Sequence, residues 1–282
     1  MASGGDITLQ EVAARLGVHY MTAYRYVRTG RLPARREGVL WIVNATDVDK
    51  MRAPGRARAG QGRRQGEGPA KLASRMVAGD EAGAWGIVES ALVSGVEPSE
   101  LYLDVLMPAL RAIGDGWAAG ELTVADEHRA SAIAQRLVGR VGPRFARRGR
   151  KRGTVVVGAS PGDLHGLPCA VVADLLRGAG FEVLDLGANT PAVSFVESSR
   201  SASRLVAVVI GATTLEKDSS VKAAVRALRR GGITAPILVG GAAIKSEDHA
   251  RRVGADGWSG PDGRSAVIAV ERAVLGEPHG SA

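Results

Sequence analysis

Among 282 residues there is one cysteine, Cys169. This excludes an intrachain disulfide framework and a cysteine-based zinc finger, and a reducing compartment is the natural setting. Aromatic residues are scarce too, at 4%. With Gly and Ala abundant, that argues against an aromatic-rich β-sandwich and for closely packed helices with an α/β sheet. No apolar run approaches about eighteen residues, and the stretch "MASGGDITLQEVAARLG" lacks an apolar signal core. A cytoplasmic protein without membrane association is expected. A hydrophobic content of 45% supplies more than one core, so two or three domains are expected. Lys and Arg outnumber Asp and Glu by 37 to 29, a net charge of +8, which favours a polyanionic partner.

Two basic seams divide the chain. "RAPGRARAGQGRRQGEGPA", from residue 52, has no apolar periodicity and too little apolar surface to offset ordering entropy, so it reads as a flexible linker. "RFARRGRKRG", 144–153, reads as a solvated connector ahead of a strand. The expected organisation is a small N-terminal domain over 1–51, a linker over 52–68, a helical bundle over 69–147 and an α/β domain over 148–282.

In the first block, Thr8 and Glu11 have capping-box spacing, and Leu9, Val12, Ala13 and Leu16 form a helical stripe that Gly17 ends. "VHYMTAYRYVRTG" supplies a second helix, with Ala23 and Val27 turned toward the first. "RLPARREGVLWIV" reads as two strands about Glu37-Gly38, and "NATDVDKM" as a closing helix. Residues 7–51 resemble the winged helix-turn-helix domains of excisionases and mercury-resistance regulators. The resemblance implies double-stranded DNA as partner, with Tyr20, Thr22 and Arg25 as base or phosphate contacts and Arg35 and Arg36 as phosphate contacts.

The second block breaks into helices at Gly79-Asp80. It resumes at Pro98 with Leu101, Val105, Leu106 and Leu110 at helical spacing, and starts again after Thr123, an N-cap candidate with Glu127 and His128 close behind. Four helices with short turns make a bundle. The third block alternates apolar strands with helices: "TVVVGA", "FEVLDLG", "LVAVVIGA", "PILVGG" and "DGWSG". Near-continuous apolar strands belong to a buried parallel sheet, so a flavodoxin-like, doubly wound domain of order 2-1-3-4-5 is expected. Its crevice lies at the carboxyl ends of the first and third strands, beside "SPGDLHGLP" and "ATTLEKD". No G-x-G-x-x-G follows strand one, no P-loop is present, and Thr213-Thr214 stand where a phosphoacceptor Asp would be needed. A zinc site could use Asp163 and His165 but lacks a neighbouring His or Cys cluster.

Asp163-x-His165 after strand one, Thr213-x-Leu215 after strand three and Gly240-Gly241 after strand four resemble the cobalamin-binding domain of methionine synthase and methylmalonyl-CoA mutase. That resemblance implies His165 as lower cobalt ligand in place of the cofactor's own base, with Asp163 fixing its tautomer. Gly166, Thr213, Leu215, Gly240 and Gly241 would border the cofactor and its displaced nucleotide tail. Pro168 stands where that motif has its glycine. Trp117, followed after nine residues by Glu127-His128, extends the likeness. It resembles the adenosylcobalamin-dependent light-sensing transcription factors of carotenoid-gene control, in which these residues bound the upper face. Ala118 stands where that family has a cobalt-capturing histidine.

The main expectation is therefore a cobalamin-binding transcriptional regulator, not an enzyme, that senses light through adenosylcobalamin and assembles as a homodimer or homotetramer. The alternatives are a corrinoid methyl carrier of a methyltransferase system and a light-independent cobalamin sensor. A bilin as second chromophore is a lesser alternative, because Cys169 lies in the wrong domain to attach one. His19, His249 and His279 read as surface residues.

Overall fold

A computed structural model describes residues 5–16, 23, 26, 27, 32–37, 40–52, 68–214 and 218–276. Two compact units emerge, Met1–Glu67 and Gly68–Ala282.

In the first unit the capping box forms as the sequence requires. The backbone amide and hydroxyl of Thr8 donate to the Glu11 carboxylate at 2.8 and 2.9 Å, opening the helix Leu9–Leu16. Leu9, Val12 and Ala13 face a small core that takes in Ala23, Leu32, Val43 and Val48. Strands β2 (Arg35–Glu37) and β3 (Leu40–Asn44) pair antiparallel as the expected wing, and the helix Ala45–Arg52 closes the unit. A third strand, β1 (Asp6–Thr8), pairs with the other edge of β3. At three residues it is too short to show an alternating pattern, and only its partner reveals it.

In the second unit five parallel strands run in the order β5-β4-β6-β7-β8, the expected 2-1-3-4-5. They are β4 (Thr154–Ala159), β5 (Glu182–Asp185), β6 (Leu205–Gly211), β7 (Ile237–Gly240) and β8 (Gly257–Trp258). Every residue of β4 is buried, and its valines serve alternate faces. Val156 joins Val208 and Ile210 beneath the helices Ala192–Ser201 and Asp218–Arg230. Val155 and Val157 join Ala207 and Val209 beneath Gly166–Gly178 and Gly263–Leu275. Two helix-covered faces explain why the strand reads as unbroken valine.

Helices 68–77, Glu81–Val93, 98–118 and Val124–Val141 pack around a separate core. Thr123 caps the last of them in a full capping box, in which its amide and hydroxyl donate to Asp126 and the Asp126 amide donates to its hydroxyl. Within 98–118, Leu101–Leu106 is wound as a π-helix, and the Met107 amide donates five residues back to Tyr102. Pro108 supplies the cause. It has no N–H to offer Asp104, and its ring would strike that carbonyl in a regular α-helix. The same turn carries Tyr102, wholly buried, whose hydroxyl donates to Asp174 at 2.9 Å and to the Val138 carbonyl at 3.2 Å. Burial, then the adjacent Asp174 charge and hydrogen bond, raise the phenol far above its usual range. Val171 and Leu175 of the Gly166–Gly178 helix complete the same core, so the helical layer and the sheet layer share packing.

The connector after residue 144 departs from its solvated reading at both ends. Phe145 is buried against Tyr102, with ring centroids 5.0 Å apart. Arg152 lies 4.6 Å over the Phe181 ring and pairs with Glu271. No helix among the described residues is long and apolar enough to cross a membrane.

Candidate functional site

At the carboxyl edge of the sheet, strand β4 runs into a tight loop and then into the helix Gly166–Gly178. Asp163 is completely buried there. Its carboxylate accepts from the His165 ring Nδ1 at 2.7 Å and from the His165 amide at 3.1 Å. It also accepts from the amides of Thr213 and Thr214 and from the Thr214 hydroxyl, so the loops after β4 and β6 close on one carboxylate. Burial alone would raise its pKa. The hydrogen bonds from the His165 ring, then from the backbone of Thr213, His165 and Thr214, overcome that and hold it at about 2.

An ionised carboxylate only accepts, so Nδ1 carries a proton, and in the neutral ring the lone pair is then on Nε2. The ring is 55% exposed, and Nε2 has no hydrogen-bond partner among the described residues. The hydrogen bond to Asp163 raises the imidazole pKa; partial burial opposes this, and the charges of Asp163 and Glu127 assist it. Glu127 belongs to the helical layer, so its carboxylate and His165 lie close enough for each to feel the other's charge. Burial raises the Glu127 pKa, but bonds from Ser131 and His128, and the charges of His128 and His165, bring it below its usual value.

The remaining helical-layer candidates lie at the surface. Trp117 is 51% exposed near the end of its helix, and His128 is exposed with Nδ1 2.7 Å from Glu127 Oε2. Neither is a core plug. Leu164, between Asp163 and His165, is 76% exposed, an unusual place for a leucine in a loop otherwise held so firmly. Ala118 is exposed and has no ligating atom.

Around the tail-side motifs, Gly241 has φ of +96° and lies against the Ala212 backbone, while a Cβ on Gly240 would fall 1.9 Å from Ser259 Oγ. Both glycines are thus already demanded by the chain's own packing, rather than by the approach of a cofactor tail alone. Gly166 differs: a Cβ there would meet Ala188 at 3.4 Å, an ordinary contact, so the fold does not require it. Pro168 falls in the first turn of the helix, where a missing N–H costs little, and the departure from the motif leaves the loop intact. Leu215, Tyr20, Thr22, Arg25, His19 and His279 lie outside the described residues. Arg36 is exposed on β2; Arg35 bridges Asp6 and Glu37 at 2.6 and 2.9 Å, so the phosphate-contact reading meets a guanidinium already engaged. His249 is no surface residue. Its ring is 13% exposed, and Nε2 sits 2.9 and 3.0 Å from the two Asp218 oxygens.

Three participants escaped the sequence reading. Thr214 brings its hydroxyl to Asp163, whereas Thr213 offers its backbone amide. Asn189, held at φ +48°, donates its amide to the Asp163 carbonyl at 2.7 Å and accepts from Gly162 through its side chain. Ser160, at the end of β4, has a buried Oγ without any hydrogen-bond partner among the described residues. Only the last carried a sequence signal, a serine directly after strand one at the switch point.

Two features suit the site to cobalamin. Nε2 is an imidazole nitrogen with a backed tautomer and no hydrogen-bond partner among the described residues. The Ser160 hydroxyl is buried and unpartnered among the described residues, a polar group that a ligand could satisfy. Cys169 is buried with its thiol pushed up to about 12, chiefly by burial, so it presents no accessible thiolate for attaching a bilin.

Comparison with known proteins agrees. Residues 70–141 and 153–270 match two B12 binding domain families, and residues 7–55 match a helix-turn-helix domain family. The chain is a cobalamin-binding protein with a helix-turn-helix domain. It is 29% identical over 205 residues to trimethylamine corrinoid protein 1 of Methanosarcina acetivorans, covering 70% of this chain and 91% of that one. It is 27% identical over 195 residues to the trimethylamine corrinoid protein of Methanosarcina barkeri, covering 67% and 88%. The solved structure of the monomethylamine corrinoid protein of Methanosarcina barkeri shares its fold, with a TM-score of 0.63 at 20% identity over 71% of this chain and 96% of that one. These relatives overturn the expectation of a light-sensing transcriptional regulator and favour the corrinoid-protein alternative. Ala118 fits the correction, because it supplies no second imidazole beside Trp117.

Proposed function

We propose that the chain is a corrinoid methyl carrier, itself not an enzyme, held to double-stranded DNA by its helix-turn-helix head. The observation that carries the cofactor part is His165: a buried, ionised Asp163 keeps the proton on Nδ1 and leaves Nε2 outward as a ligand. The carrier part rests on the relatives named as corrinoid proteins, and the DNA part on the head. When bound, cobalamin supplies a cobalt centre that takes up and gives away a methyl group.

The chain's own residues do the rest. Asp163 orients the imidazole and increases its donor strength. Ser160, Thr213, Gly240 and Gly241 would border the nucleotide tail, and Gly166 would let the loop approach the cofactor closely. The helical layer, with Trp117, Glu127 and His128, would shield the bound cofactor and would have to yield to a partner methyltransferase. In this reading the group carried would be methyl rather than adenosyl. A homodimer or homotetramer follows from the small head, since linked heads gain effective concentration on repeated half-sites.

The test loads the full chain with methylcobalamin labelled with carbon-13 in the methyl group and adds a zinc-dependent thiol methyltransferase with its thiol. Labelled thioether forming faster than from the same concentration of free methylcobalamin supports the carrier; an equal or slower rate contradicts it.

A further inference from the structure

The helix Asp218–Arg230 buries Val221, Ala224, Val225 and Leu228 against the sheet and turns a basic stripe outward. Between this stripe and residues 252–254 lies an open cavity of about 370 Å³. Its walls carry Lys222, Arg226, Arg229, Arg230 and Arg252 and no carboxylate. Arg229 is already spent within the fold, paired with Asp256 and donating to the carbonyls of Ile233 and Ala235 at 2.8 and 3.1 Å. The other four have no carboxylate partner among the described residues, and Arg226, Arg230 and Arg252 are exposed. Like charges gathered without counter-charge repel one another, and that repulsion is relieved when a polyanion arrives.

We infer that this face is a second contact surface for the phosphate backbone of double-stranded DNA, separate from the head. Lys222, Arg226 and Arg230 recur every fourth residue, so their attachment points advance by about 6 Å per step and about 12 Å in all. One strand of a duplex presents a phosphate about every 3.4 Å along its axis, so the row can face three or four of them. A small anion would fill one end of such a row and leave the other unneutralised. The inference rests on the reading of the chain as a DNA-docked protein.

The test measures binding of the cobalamin-loaded full chain to a duplex of arbitrary sequence as a function of salt. Three proteins are compared: the wild type, the fourfold variant Lys222→Ala, Arg226→Ala, Arg230→Ala, Arg252→Ala, and a charge-matched variant Arg144→Ala, Arg147→Ala, Arg148→Ala, Arg150→Ala. The cobalamin spectrum of each verifies that it is folded. The fourfold variant is expected to lose at least ~10-fold in affinity near 0.1 M salt and to show a salt slope shallower by about three, at about 0.9 per lost phosphate contact. The charge-matched variant is expected to retain most of the wild-type slope. Equal slopes for wild type and fourfold variant overturn this inference and leave the head's role standing, as do equal losses in both variants. Failure of the wild type to bind any duplex overturns both readings together.

Discussion

Two of the carboxylate–imidazole pairs in the second unit close at the same 2.7 Å: Asp163 with His165, and Glu127 with His128. Their settings differ. Asp163 is fully buried and accepts from three backbone amides and a threonine hydroxyl besides the ring, whereas Glu127 is 31% exposed and accepts otherwise from Ser131. One carboxylate is fixed by two loops and imposes an orientation on its histidine. The other shares a helix turn with a histidine that is 75% exposed and free to reorient. Equal hydrogen-bond lengths thus conceal a ligand-orienting pair and an adaptable one, because rigidity comes from what holds the carboxylate.

Breaking the rigid pair at its histidine has the largest expected effect. His165→Ala leaves cobalamin carrying its own base and lowers affinity by more than about 100-fold, beyond what loss of an orienting partner costs; absorption titration with hydroxocobalamin measures both. Asp163→Asn keeps the shape and removes the charge, with an expected loss of about 10- to 100-fold in affinity. If Asp163→Asn binds as wild type does, the orienting role is wrong. Ser160→Ala sharpens the tail side. It removes a buried orphan hydroxyl, so the cofactor-free chain gains up to about 1 kcal/mol in urea unfolding while cobalamin affinity falls by about 3- to 10-fold. His128→Ala should be smallest, changing affinity less than about threefold, because a side chain this exposed has little desolvated contact to lose. An effect as large as that of Asp163→Asn would erase the distinction between the pairs.

The same contrast explains what was legible in the sequence. Strands buried on both faces announce themselves by unbroken Val and Ile, and helices by caps such as Thr8 and Thr123, because those signals are local. The motif residues Asp163 and His165 were legible because both belong to one short loop. Thr214 was overlooked because its hydroxyl meets Asp163 across fifty residues of chain, and β1 because its only distinguishing feature is a partner. The π-turn at Leu101–Leu106 had its cause in view at Pro108, but a proline inside a helical pattern signals a kink more often than a π-turn. The ion pair of Arg35 with Asp6 was not legible because nothing near Arg35 in sequence reveals that Asp6 lies across the sheet. Function was misjudged for a different reason. Trp117 and His128 are exposed and Glu127 is half-buried, and nothing in their types or spacing separates a sensor from a carrier.

The proposed ligation of cobalt by His165 Nε2 is tested most directly by electron paramagnetic resonance of the full chain loaded with cob(II)alamin, produced with nitrogen-15 in its histidines only. Ligation by His165 predicts that each cobalt line splits into a doublet, and that the doublet is lost in His165→Ala. A triplet from the cofactor's own nitrogen-14 base in the labelled wild type would contradict the account.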